Sequence, residues 1–256
     1  MKILWLFAHP EQRSLNGALK DDGIAALRAE GHEVRVSDLY AMKWNPVVDA
    51  DDYGHDPADR LDVAHHSREA YESGRLAPDI AAEHDKLDWA DTVIIQFPLW
   101  WYGMPAILKG WFDRVFVKGF GYGVFDEATG RTLRYGEGRL AGKRAMVVLT
   151  VGAREHEMGP RGINGGLDAV LFPLQHGTLW YAGMSVLPPV LVAGANRFSP
   201  EQYAEAAARL RERLSALATT PPIPYRSQNG GDYDANLTLH PHLAPGREDL
   251  RIHQEG

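Results

Sequence analysis

Residues 92–105 read TVIIQFPLWWYGMP. Thr92 to Phe97 is an apolar run interrupted by one Gln, the pattern of a strand covered on both faces. Three large aromatics, Trp100, Trp101 and Tyr102, then stand where a turn belongs. Turns normally use Gly, Asn, Asp and Ser, which supply the backbone geometry or the local hydrogen bonds. Pro98 and Pro105 stiffen the two ends of this loop, and Gly103 permits the reversal. A helix over 105–117 follows, with Pro in its first turn, where a missing N–H removes no bond. A buried strand, a loop of rings and a helix make one repeat of a parallel α/β sheet with a ligand loop at the carboxyl edge.

The rest of the chain repeats the alternation. Apolar runs over 3–8, 33–37, 144–150 and 184–193 read as strands, the last irregular or at an edge because of Pro188 and Pro189. Residues 16–30, 163–180 and 199–217 read as helices. Gly31 ends the first, Pro173 and Gly177 kink the second, and the third begins with Ser199 as cap, Pro200 and Gln202. The expectation is a five-stranded parallel sheet in the order 2-1-3-4-5 with helices on both faces. An insertion over 38–89, with helices near 63–74 and 78–88, follows strand two. The domain is expected to span 1–217, and 218–256, rich in Pro, Gly, Asn and Asp, to form an extended arm.

Composition narrows the function. The 256 residues carry a formal net charge of -7, which argues against a nucleic-acid surface. Cysteine is absent, excluding disulfides, thiolate catalysis and iron–sulfur clusters, and fitting a reducing cytoplasm. No apolar stretch approaches the roughly 20 residues of a membrane span. The pairs His65–His66 and His240–His242 lack metal-site spacing with carboxylates, and Asp49, Asp51 and Asp52 lack the spacing and Gly of a calcium loop. No G-x-S-x-G elbow supports hydrolysis.

In such a sheet the ligand sits beyond the carboxyl ends of the strands. The loop after strand one, AHPEQRSLNGAL (8–19), has neither a dinucleotide fingerprint nor a P-loop. It offers His9, Arg13, Ser14 and Asn16 at a helix start, where free N–H groups attract phosphate. In the second loop Trp101 and Tyr102 are placed to stack on a flat ring, although Trp and Tyr are equally suited to an interface. In the third, TVGAREHEMGPRGING (150–165), Gly152 lets backbone approach a ligand closely. A phosphate site beside a flat, partly polar ring describes a flavin.

These residues also resemble the NAD(P)H:quinone reductase (DT-diaphorase) family of flavodoxin-like flavoproteins. The resemblance rests on HPEQRSLNGALK (9–20), SDLYAMKWNPV (37–47), SGRLAPDIAAEHDKL (73–87), IQFPLWWYGMPAILKGWFDRVF (95–116) and PLQHGTLWYAGM (173–184), most of 1–195. It implies a homodimer with one FAD per subunit and active sites at the interface, passing hydride from NAD(P)H to flavin and then to a quinone. His9, Arg13, Ser14, Leu15, Asn16 and Ala18 would hold the pyrophosphate side. Pro98, Leu99, Trp100, Trp101 and Tyr102 would hold the ring, and Thr150, Val151, Gly152 and Ala153 its other edge. Trp101, Tyr102, Tyr122, Gly152 and Met158 would border the substrate. One departure stands out: Met158 and Asn164 occupy the positions of a Tyr and, in animal enzymes, a His that stabilise charge on the reduced flavin. Asn164 is then expected to take part of that role, helped by Arg154, His156 or Arg161. Competing readings are an FMN-dependent azoreductase- or nitroreductase-like enzyme, a one-electron carrier or regulatory flavoprotein, and a flavin-free structural subunit.

Overall fold

The computed structural model describes residues 1–255. Its strands are β1 (Lys2–Phe7), β2 (Glu33–Asp38), β3 (Thr92–Pro98), β4 (Val124–Phe125), β5 (Thr132–Leu133), β6 (Arg144–Val151), β7 (Ser185–Val186) and β8 (Val190–Ala193). Its α-helices are α1 (Leu15–Ala29), α2 (Val63–Glu72), α3 (Pro78–Trp89), α4 (Ala106–Val115), α5 (Leu167–Leu174) and α6 (Pro200–Ser215). The main sheet runs β2-β1-β3-β6, all parallel, and both β7 and β8 pair with β6. The expected fifth strand is therefore two short pieces in one sheet position, parted at Pro188 and Pro189, whose missing N–H groups cannot serve a ladder. The antiparallel β4–β5 ribbon was not expected, because two-residue strands leave no periodic signal.

Alternation along the strands builds two cores. Ile3, Trp5, Phe7, Ile94, Met146 and Val148 face α1 and α6, meeting Leu19, Leu27, Leu210 and Leu214. Leu4, Leu6, Val93, Ile95, Phe97, Val147 and Leu149 face the other helices, meeting Ile80, Leu87, Leu108, Trp111 and Leu171. Each fully buried Leu or Ile contributes about 1.5–3 kcal/mol. Gln96 falls on the α1 side of β3, two residues beyond Ile94, so the one polar residue of that strand is aimed at the start of α1.

The insertion is bolted to the body by buried polar groups. Glu83, fully buried, accepts from Ser37 Oγ at 2.7 Å and Trp111 Nε1 at 2.9 Å and pairs with Lys86 at 2.5 Å. Arg114, also buried, binds Asp52 and Asp79, each at 2.6 Å, and the Asn45 carbonyl at 3.1 Å. The tail folds back onto this body. Arg251 pairs with Asp168 at 2.5 Å and Trp180 Nε1 donates to the Arg226 carbonyl at 3.2 Å, while within the tail the Tyr233 hydroxyl meets His253 Nδ1 at 2.9 Å. Between body and tail, α5 carries Pro173 and continues as a π-helical segment, Gln175–Trp180. The helix expected over 163–180 thus begins at Leu167, and the irregularity expected at Pro173 and Gly177 takes the form of a π-helical segment after a residue that cannot donate. Among the described residues no helix is long and apolar enough to cross a membrane.

Two predictions follow from these contacts. Asp52→Ala leaves Arg114 buried with Asp79 as its remaining carboxylate and should lower the unfolding free energy by about 3 kcal/mol. A loss below about 1 kcal/mol in urea unfolding would mark the pair as no better than a surface bridge. Under the tail, His176 stacks on Phe172, and burial, aided by the neighbouring His253, lowers its pKa to about 4. The unfolded chain then binds a proton near pH 6.5 that the folded chain refuses until about pH 4. Stability should therefore decrease as pH is lowered through that window, by at most about 1.4 kcal/mol per unit for this group. His176→Phe should flatten the slope of urea midpoints between pH 7 and 5; an unchanged slope would remove His176 from the account.

Candidate active site

The carboxyl ends of β1, β3, β6 and β8 open onto one cleft of about 380 Å³. His9, Ser14, Leu15 and Asn16 form one wall, Pro98, Leu99 and Trp100 a second, and Thr150, Val151, Gly152, Ala195 and Asn196 a third. A smaller, open cavity of about 190 Å³ adjoins it through Leu99 and Val151 and is lined further by Trp101, Tyr102, Ala153, Met158 and Asn164.

A buried chain of hydrogen bonds positions the walls. Trp5 Nε1 donates to Gln96 Oε1 at 2.9 Å, Gln96 Nε2 to the Asn16 carbonyl at 2.8 Å, and Asn16 Nδ2 to Thr150 Oγ1 at 2.8 Å. Asn16 Oδ1 is left buried without a partner. In the first loop, Ser14 caps α1 by accepting from the Gly17 N–H at 3.2 Å, and its hydroxyl lies 3.0 Å from His9 Nδ1. His9 Nδ1 also lies 3.1 Å from the Glu11 backbone nitrogen and 3.0 Å from the Glu11 carbonyl oxygen, which holds the ring against the first loop. The N–H groups of Leu15 and Asn16, first in α1, have no partner within the helix. Gly17 is required here: a Cβ would stand 1.9 Å from the Gln12 carbonyl oxygen, so α1 begins in direct contact with the returning loop.

The second loop answers the puzzle of its aromatics. Trp100 and Gly103 exchange both backbone bonds at 3.0 Å, and Trp101 and Tyr102 between them hold φ of 51° and 60°. This is a two-residue turn of the left-handed kind that normally takes Asn-Gly. Two aromatic residues with positive φ store of order 1–3 kcal/mol each. Trp101 is 98% exposed, so nothing in this chain covers it.

In the third loop Gly152 faces the main cleft, and a Cβ there would meet the Asn196 amide at 2.5 Å. Met158 is buried in the smaller cavity. Asn164 Oδ1 accepts from the Tyr102 hydroxyl at 2.7 Å. Arg154, His156 and Arg161, the expected helpers of Asn164, are exposed and make no side-chain bond to it.

Three other expected residues lie apart from the cleft. Arg13 is exposed and paired with Glu11 at 3.1 Å, holding the Glu11 carboxyl down at about 2. Ala18 sits one turn into α1, its carbonyl accepting from Tyr203 OH at 3.3 Å. Tyr122 lies near Ser67, where burial raises its pKa. Sequence reading missed Gln96, visible as the lone polar residue in β3, and Ala195 and Asn196. The loop of these last two follows an edge strand and is tied to the third loop by Ala195 N–H to the Val151 carbonyl at 3.0 Å.

The donor set fits a flavin. Free helix N–H groups and the His9 ring suit phosphate, the orphaned Asn16 oxygen suits a hydroxyl, and Gly152 presents bare backbone at the cleft wall. Comparison with known proteins agrees. A family model described as Flavodoxin-like fold matches residues 1–216. The chain is 49% identical over 243 residues to the ribosyldihydronicotinamide dehydrogenase-like protein traD of Penicillium crustosum, covering 94% of this chain and 90% of that one. It is 38% identical over 225 residues to NAD(P)H dehydrogenase (quinone) 1 of Cavia porcellus, covering 87% and 79%. A crystal structure from Klebsiella pneumoniae, provisionally named a quinone reductase, matches over 100% of both chains with TM-score 0.96 and 51% identity. Fold and cleft thus define a flavodoxin-like oxidoreductase. More particularly, the chain belongs to the NAD(P)H:quinone reductase family.

Trp101→Asn removes an exposed ring from a strained turn and installs a residue that tolerates positive φ. It should raise stability by about 1 kcal/mol, a gain of about 2–4 °C in Tm, while weakening ligand binding. A lower Tm by calorimetry would show that the turn holds no strain.

Proposed function

We propose that this protein is an FAD-dependent NAD(P)H oxidoreductase that reduces quinones or related two-electron acceptors, with ping-pong kinetics. The observation that carries the reading is the cleft itself: polar donors from the first loop on one wall, open Gly152 backbone on another, and an uncovered aromatic turn at the rim. A bound flavin supplies the two-electron relay between nicotinamide and acceptor. The chain does the rest. Leu15 and Asn16 N–H groups and His9 would hold phosphate, and Asn16 and Thr150 would hold the sugar-alcohol portion. Leu99, Trp100 and Val151 would flank the ring, and Gly152 would leave space for nicotinamide and acceptor in turn.

FAD is preferred to FMN because the insertion and the tail add protein beyond the minimal sheet, enough to cover an adenosine end. The fully exposed Trp101, with Ile163 also 93% exposed nearby, supports a homodimer in which a second copy completes the site. Tyr122, which does not line the cleft of its own chain, would then border its partner's.

The test is to purify the protein with both flavins present, identify the flavin extracted, and follow anaerobic NADH and NADPH oxidation with and without benzoquinone. FAD with quinone-dependent oxidation and parallel double-reciprocal lines is the expected result. FMN would favour the azoreductase-like alternative. Bound flavin without turnover would favour a carrier or regulatory role, and protein without flavin would end the proposal.

A further inference from the structure

The bond between Tyr102 and Asn164 joins two residues that line the smaller cavity and lie 62 positions apart. The backbone is held at both ends. Tyr102 is fixed by the reciprocal Trp100–Gly103 bonds at a positive φ that its side chain does not favour. Asn164 is fixed by its own N–H, which donates to the Glu157 carbonyl at 3.1 Å. The other side chains around the cavity are Leu99, Val151, Ala153, Met158 and Trp101, so polar chemistry here comes from the Tyr102–Asn164 pair and the Trp101 indole N–H.

The direction of the bond matters. A phenol hydroxyl donating to an amide must find the oxygen, so Oδ1 is engaged by Tyr102 and the two Nδ2 protons are left over. Among the described residues Nδ2 has no hydrogen-bond partner in the chain. A phenol hydroxyl can also accept, but here it donates to Oδ1, and in that orientation the polar group the amide has left to offer is its donor. Met158, buried beside it, offers no competing polar group.

We propose that Tyr102 is a positioning residue: its hydroxyl holds the Asn164 amide with Nδ2 toward the cavity, making Asn164 a fixed donor to an oxygen or nitrogen that gains negative charge during reduction. The inference rests on the flavin-dependent reading above and extends it. The ligand class is a planar, electron-accepting ring with a carbonyl or similar acceptor at its edge, presented by the flavin's own edge or by a quinone-like substrate. Preorganised donors of this kind act without reorganising when the charge develops.

The test separates position from packing. Tyr102→Phe keeps the ring and removes the hydroxyl, and Asn164→Ala removes the donor. Both are compared with their double variant in the flavin-loaded protein. The readouts are the dissociation constant of oxidised flavin, the two-electron midpoint potential of bound flavin, and kcat and KM for benzoquinone. Tyr102→Phe should leave oxidised-flavin affinity within twofold. It should weaken reduced- relative to oxidised-flavin binding about tenfold, about 30 mV in potential, or, where the quinone is the recipient, lower kcat/KM about tenfold with the potential unchanged. The double variant should be no worse than Asn164→Ala, since Tyr102 acts through Asn164. Additive losses would overturn the proposal, as would a Tyr102→Phe protein matching wild type in both readouts. Wild-type protein that binds no flavin would sink the functional reading and this inference together, whereas flavin binding and turnover unaffected by Tyr102→Phe would sink this inference alone.

Discussion

The buried chain Trp5–Gln96–Asn16–Thr150 is the constraint on which the site depends. All four residues are almost wholly buried, and their bonds run from β1 through β3 to the first turn of α1 and on to the end of β6. Inside a protein such bonds are electrostatically stronger than in water, and an unpaired member is correspondingly expensive. Each buried donor or acceptor left alone costs about 1–3 kcal/mol. The chain therefore admits one arrangement of the first and third loops. It also brings the unpartnered Asn16 Oδ1 to the edge of the main cleft.

That rigidity allows strain to be kept next door. The Leu99 N–H donates to the Thr150 carbonyl at 2.8 Å, so the second loop is fastened to β6 where the buried chain ends. From that anchor the chain turns back within four residues, and Trp101 and Tyr102 are carried into a backbone region their side chains disfavour. A sequence selected for stability alone would place Asn and Gly there. Strained residues persist only where surrounding structure over-determines them, and they gather at functional sites. The anchor on one side and α4 on the other supply that surrounding structure.

The parts legible in the sequence were those fixed by long patterns. β1, β3 and β6 are covered on both faces and read as apolar runs, and the Ser199–Gln202 capping box marks the start of α6 because its chemistry is local. The cleft was legible in outline, because strand order alone puts the first three loops together. What escaped was non-local. Asn196 follows an edge strand split by prolines, and its loop carries no compositional mark. Gln96 is polar in an apolar strand, but its meaning depends on which face the pleat turns toward α1. Asn164 has cationic neighbours in sequence, yet its partner is Tyr102, supplied by another loop across the cavity.

These differences divide the site by physical type. Inside, the polar groups of the first loop and of β6 are locked, suited to retaining one group of fixed shape and charge. At the rim the surfaces are large, apolar and uncovered, and stacking on them is sequence-blind: a flat ring of almost any substitution gains from the contact. Discrimination among flat rings must then come from the few directional groups between these regions. In the smaller cavity those are the Tyr102–Asn164 pair and the Trp101 indole. On the proposed reading, a site built this way would hold its cofactor by fit, and the orientation of one amide at the boundary would bear on which flat acceptor is taken.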